Sequence, residues 1–327
     1  MLGFFRTNQL AANLLLIIYV IVLYIAGLLA TSTWESSEGG VLTQVIHHYV
    51  GTQGMLPKIF TIILVLLQAL LLNILAARFR ISEEVTMYPG VFYLLLMSTL
   101  PDFQNLSPVL IGNTFLILAV SSLFNSYKKT STANSIFNVG FWVGMASLCY
   151  FSNFVFVLLA IFGLSTIRNL RINELFMILI GVLVPLFLAG TIAFWNDALE
   201  SFYQITFINQ FGVLDFAIDT HWKNYVPLIL FGLLTLISFL SLNTYFQKQG
   251  IRSQKNIQVL YYFIIIAILS IFLQKEITVN RLQLLAIPLA LLLPLNFLSF
   301  KRKEIGNGIH LTWLIGVLFL QYRLLFM

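Results

Sequence analysis

The chain has 327 residues, 59% hydrophobic and 9% charged, with a mean hydropathy of +0.93 and a formal charge of +6. Globular domains carry about 25% Asp, Glu, Lys and Arg, so this composition excludes a water-soluble fold and points to an integral membrane protein. In such a protein positive charge speaks first to orientation and not to a nucleic-acid partner, and one cysteine, Cys149, excludes an internal disulfide framework or thiolate cluster.

A spanning helix needs about 20 mostly apolar residues. The first such run covers 10–30, longer than the apolar part of a secretory leader and followed by a poor cleavage site, so it is read as helix one. Ten more follow, near 57–77, 85–100, 106–125, 136–150, 153–167, 174–194, 225–245, 257–273, 279–298 and 309–325. The expectation is an all-α polytopic transmembrane helix bundle of about 11 spans, one integral membrane domain over 1–327 with no appended soluble module. Placing the N-terminus in the cytoplasm puts 13 of the 18 basic residues inside, among them Arg6, Arg78, Arg80, Lys128, Lys129, Arg168, Arg171, Arg252 and Lys255. Lys58, Lys223, Lys275, Arg281 and Arg323 remain outside, where eight of the twelve acids also fall. The protein is thereby expected in a bacterial inner membrane.

Two external loops are long. Residues 31–56 carry Glu35, Glu38 and a Gly39-Gly40 break, then VLTQVIHHYV, in which Val41, Leu42, Val45, Ile46, Tyr49 and Val50 recur at helical spacing. A short interfacial helix is expected there, and a second from the Trp195, Ala198, Leu199 and Phe202 stripe. Between Val91 and Ile167 four apolar segments follow one another with hairpin turns at Pro101–Asn105 and Cys149–Asn153 on one side and Lys128-Lys129 on the other. Gly140 and Gly144 form a small-residue helix-packing face. The span interiors hold amides such as Gln68, Asn73 and Asn113 in place of the ionisable groups of proton or ion pathways, and no duplicated half is visible, so transport ranks third.

This arrangement of cytoplasmic N-terminus, one span, an acidic external loop with an interfacial helix and then the tightly looped block resembles the GT-C superfamily of polytopic glycosyltransferases. The resemblance rests on Pro101 at an external turn, Tyr127-Lys128-Lys129 inside and the segment from Gly140 to Ala146, and it covers a module over 1–173, with further helices over 174–327. The whole chain is also similar to an uncharacterised family of polytopic membrane proteins from Bacteroidetes. The GT-C resemblance implies a polyprenyl-phosphate-linked glycan as substrate at the external leaflet, membrane lipid as a partner, and a carboxylate base in the first external loop. Here that role falls on Glu35 or Glu38, where the superfamily usually carries an Asp.

Such a transfer needs a carboxylate to deprotonate the acceptor hydroxyl and cations to hold the departing lipid phosphate. Glu35 and Glu38, three apart, can share a helix face; their plainer reading is a helix cap or solvated interface. Asp102 follows Pro101 at a hairpin tip, where ordinary turn chemistry also explains it. Lys275 and Arg281 sit in the external turn QKEITVNR, where a lipid phosphate would arrive, or where headgroup anchors paired with Glu276 would stand. Asp219 and His221 could help hold a divalent cation, though a polar turn accounts for them equally; no other cofactor is implied, and His47 and His48 are adjacent and must face apart. Two functions remain open: a polyprenyl-phosphate-sugar-dependent glycosyltransferase, and a non-catalytic membrane subunit of an envelope glycan, secretion or motility complex.

Overall fold

The computed structural model describes residues 2–6, 10–29, 39–127, 133–208, 210, 225–247, 249–273, 279–300 and 302–323, and among them all regular structure is helical. The α-helices are α1 (Leu10–Leu29), α2 (Val41–Val50), α3 (Met55–Phe79), α4 (Tyr88–Ser98), α5 (Pro108–Phe124), α6 (Ala133–Cys149) and α7 (Val157–Ile167). They continue as α8 (Ile172–Trp195), α9 (Leu199–Tyr203), α10 (Tyr225–Leu240), α11 (Leu242–Gln247), α12 (Ile251–Phe272), α13 (Gln283–Ser299) and α14 (Lys303–Arg323). Each of the eleven apolar runs is occupied by a helix, with 225–245 divided between α10 and α11. By length and apolarity, five segments could cross a membrane: 12–29, 55–79, 172–195, 251–272 and 279–299. The chain is a helical membrane protein.

α4 is only 11 residues, ~16 Å at 1.5 Å per residue, and cannot cross ~30 Å of hydrocarbon by itself. All 11 of its residues are buried, because it stands in the middle of the bundle against α3 and α13. Three amides hold this centre. Asn73 Oδ1 accepts from Gly90 N at 2.7 Å, seating the start of α4 on α3. Gln68 accepts from Tyr93 Oη at 2.5 Å and donates to Leu110 O and Thr114 Oγ1 at 2.7 Å each, joining α3, α4 and α5. Asn113 Nδ2 reaches Gln283 O at 3.1 Å and ties α5 to the start of α13. In lipid, where apolar contact alone drives helices together weakly, such bonds and small-residue faces carry specificity.

The small-residue face behaves as expected. A Cβ on Gly140 would run into Ile178 O, and one on Gly144 would lie 2.6 Å from Val182 O, so α6 and α8 meet backbone to backbone. α8 is otherwise the outlying helix, with 22% of its apolar window buried against 78% for the 279–299 segment.

Contacts sort the helix ends into two groups. At the basic end Arg6 pairs with Glu84, Arg78 with Asn125, Ser253 with Arg80 O, Lys255 with Ile167 O, and Arg168 with Glu174 at 2.9 Å. Arg252 also lies over the rings of Phe79 and Tyr127. At the other end α2, the 101–104 turn, the 150–156 segment and the 279–282 turn come together.

Candidate functional site

Three tight connections build this second end. α4 stops as Thr99 Oγ1 turns back to Leu95 O at 2.7 Å, and a 3-10 turn over Pro101–Gln104 follows, with Phe103 and Gln104 buried and Asp102 exposed. Ser107 then caps α5, accepting from Leu110 N at 3.1 Å ahead of Pro108, whose missing N–H costs nothing in the first turn. The second connection is the 3-10 stretch Phe151–Phe156, held by Asn153 Nδ2 to Ala146 O at 3.1 Å. The third is the 3-10 turn Val279–Leu282, which touches the first.

Arg281 in that third turn is 3% exposed. Its guanidinium carbon stands 3.4 Å above the centroid of the Tyr150 ring, and Nη1 donates to Ser152 Oγ at 2.9 Å. Ser270 on α12 donates to Ser152 O at 3.2 Å, so α6, α12 and the start of α13 are joined through one cation and two serines. Arg281 thus lies inside the bundle, covered by the Tyr150 ring. Asp102 is exposed at its turn, and partial desolvation there raises its pKa from the ordinary carboxylate value.

α2 lies across the same end. Gly40 N and Thr43 Oγ1 both donate to Cys149 O, at 2.7 and 3.0 Å, and a Cβ on Gly40 would strike Leu148 O, so only glycine allows this approach. Leu42, Ile46 and Val50 pack on the bundle, whereas Val45 and Tyr49, assigned to the same stripe, are 47% and 81% exposed. Thr43 occupies the inner face in their place, because docking on Cys149 O rotates the helix toward its polar residue. His47 is half-buried and His48 exposed, as adjacent helical positions require. Desolvation lowers the His47 pKa against the opposing effect of a bond with the Leu106 backbone.

Of the six residues singled out from sequence, Asp102 and Arg281 are therefore in touching turns. Glu35, Glu38, His221 and Lys275 lie outside the described residues, as do Asp219 and Glu276. The residues that flank them are informative. Leu28 O receives Lys58 Nζ at 3.4 Å, and Gly40 sits on Cys149, which places both ends of the stretch 30–38 here. Gln210 Oε1 accepts from Phe151 N at 2.6 Å, and α10 packs on the 279–282 turn, which places both ends of 211–224 here. Ser270 and Val279 do the same for 274–278. Among the described residues no group of three His, Cys, Asp or Glu side chains gathers to hold a metal.

Sequence reasoning missed Tyr150, Ser152, Ser270 and Gln210. The first two were visible only as part of a hairpin turn, and serines and amides beside apolar runs carry no signal until the fold brings an arginine to them. The second helix expected, on the Ala198, Leu199 and Phe202 stripe, is present as α9, which starts after a break at Asn196-Asp197 and continues as a π-helical turn over Gln204–Ile208.

No curated protein and no solved structure matches this chain. A model of a family of unknown function (DUF6427) matches residues 39–325, and the chain belongs to that family.

Proposed function

We propose that the chain is an eleven-span protein of a bacterial inner membrane, N-terminus in the cytoplasm, acting as a glycosyltransferase on a polyprenyl-phosphate-linked sugar at the end that carries Arg281. One observation supports this above the rest: the flanks of all three stretches bearing Glu35, Glu38, His221 and Lys275 converge on the turns of Asp102 and Arg281. In the reaction the sugar C1–O bond to the lipid phosphate breaks and a C1–O bond to the acceptor forms. Glu35 or Glu38 takes the acceptor proton, and Lys275 and Arg281 stabilise the phosphate that leaves with the bonding electrons. The test is transfer from a panel of radiolabelled polyprenyl-phosphate sugars by the full chain in proteoliposomes. Glu35→Gln or Glu38→Gln is expected to abolish transfer at unchanged abundance; full activity in both single variants and in the double variant sinks the reading.

A second reading has its own observation. Arg281 is 3% exposed and already engaged by Ser152 and Tyr150, which suits a clip closing the bundle of a non-catalytic subunit of an envelope glycan, secretion or motility complex. That reading requires a partner chain on the lateral surface, so purification as a stable isolated monomer counts against it.

A further inference from the structure

The basic end of the bundle holds a cavity of about 100 Å3 that the transferase reading does not use. Its polar lining is Arg6, Tyr88 and Asn307, its apolar wall includes Phe297 and Phe300, and Gly306 stands among them. Arg6 is held rigidly: Nε donates to Glu84 Oε2 at 2.8 Å and Nη2 to Oε1 at 2.6 Å, a two-point fork that fixes the guanidinium plane. Its third nitrogen, Nη1, makes no bond among the described residues, and the side chain is 33% exposed. Upstream of the lining residues Gly306 and Asn307 the sequence runs Lys301-Arg302-Lys303-Glu304-Ile305, a net charge of +2.

We propose that this cavity binds the phosphate of an anionic membrane phospholipid, with Arg6 Nη1 and Asn307 as donors. The volume, far below the ~300 Å3 at which drug-sized ligand pockets begin, has room for a phosphate group and not for the rest of the molecule that carries it. The mixed lining matches an amphiphile whose charged group enters and whose chains stay along the Phe297 and Phe300 side. Basic clefts between helix ends are the sites at which such headgroups are held. The net positive charge of this run in the sequence supplies the attraction for anionic headgroups that an Arg6 already paired with Glu84 does not.

The experiment uses the full chain in bilayer discs of phosphatidylglycerol and phosphatidylcholine, and measures lipid retained after detergent extraction by native mass spectrometry. The wild-type chain is expected to retain phosphatidylglycerol in preference to phosphatidylcholine. Gly306→Leu should weaken that preference about tenfold, the loss of one charge-assisted contact. A Cβ at Gly306 meets only Phe297 and Phe300 ring carbons at 3.4 and 3.5 Å, so the backbone tolerates it while the rest of the side chain fills the cavity. If Gly306→Leu does not give folded protein, Asn307→Leu carries the same expectation and leaves the Arg6–Glu84 pair untouched. Equal retention of the two lipids by the wild type overturns the proposal, and so does undiminished preference in the folded variant. Release of phosphatidylglycerol by millimolar inorganic phosphate would assign the cavity to a soluble phosphate and overturn the lipid.

Discussion

A guanidinium at 3% exposure needs compensation for the water it has lost, since an uncompensated buried charge costs several kcal/mol. Arg281 obtains part of it from the face of Tyr150 and part from Ser152 Oγ, which also lies 3.3 Å from Ser270 Oγ. Ser152→Ala removes that acceptor and should destabilise the protein by about 1–3 kcal/mol, read as a lowered thermal unfolding midpoint in detergent; an unchanged midpoint would show that Arg281 is held without it. His47 supplies a pH-dependent contribution at the same end. Its folded-state pKa is depressed by burial, so the fold prefers the neutral ring. The stability it contributes is present above the unfolded value of about 6.5 and is lost as pH falls through the lowered folded value. His47→Gln should therefore flatten the stability curve on the acidic side of pH 6.5 relative to wild type, which chemical unfolding across that range will show.

Two elements illustrate how position decides what a helix must be. α6 and α8 pack through Gly140, Gly144 and Gly181, each of which faces backbone atoms of the other helix. Neither helix can give way by a rotamer change, so overpacking is costly. Gly140→Leu is expected to cost about 1–3 kcal/mol or more and to loosen α8, the least buried of the spans. Gly316→Leu on α14 is the internal control: nothing lies within 4 Å of its Cβ position, and replacing an exposed helical glycine should be neutral or stabilising. A comparison of thermal midpoints for the two variants separates packing from propensity. α4 shows the converse case. It is too short to span by itself, and its polar ends are tolerated because α3 and α13 enclose it.

For the molecule as a whole, five segments are long and apolar enough to cross a membrane, and the proposed eleven spans would use α1, α3 to α8, α10 with α11, and α12 to α14. If each pass is a membrane crossing, exposed positions near opposite ends should differ in access. Thr52→Cys and Asn196→Cys are expected to react with an impermeant maleimide on intact cells, and Asn169→Cys and Gly250→Cys only after permeabilisation. Cys149 is buried and should give little background. Labelling of all four from outside, or of the reverse pair, would overturn the orientation inferred from the basic residues.

Much of this architecture was legible in the sequence because the signals are local and additive. Apolar run length located the long helices, helical spacing located α2 and α9, and the Gly140-x-x-x-Gly144 spacing marked a close helix contact before its partner was known. Adjacent His47 and His48 had to diverge, and they do. What the tertiary structure alone decided is which helices are central and which residues meet. α4 and α8 read alike as uniform apolar runs, yet every residue of one is buried and most of the other's span is not. In water, a helix shows its inner face by alternating polar and apolar residues; in lipid both faces are apolar, so that periodicity is absent. Arg281 reaching Tyr150 and Ser152 across about 130 residues, and Arg6 forking onto Glu84, depend on helices packing side by side, which no local stretch of sequence records.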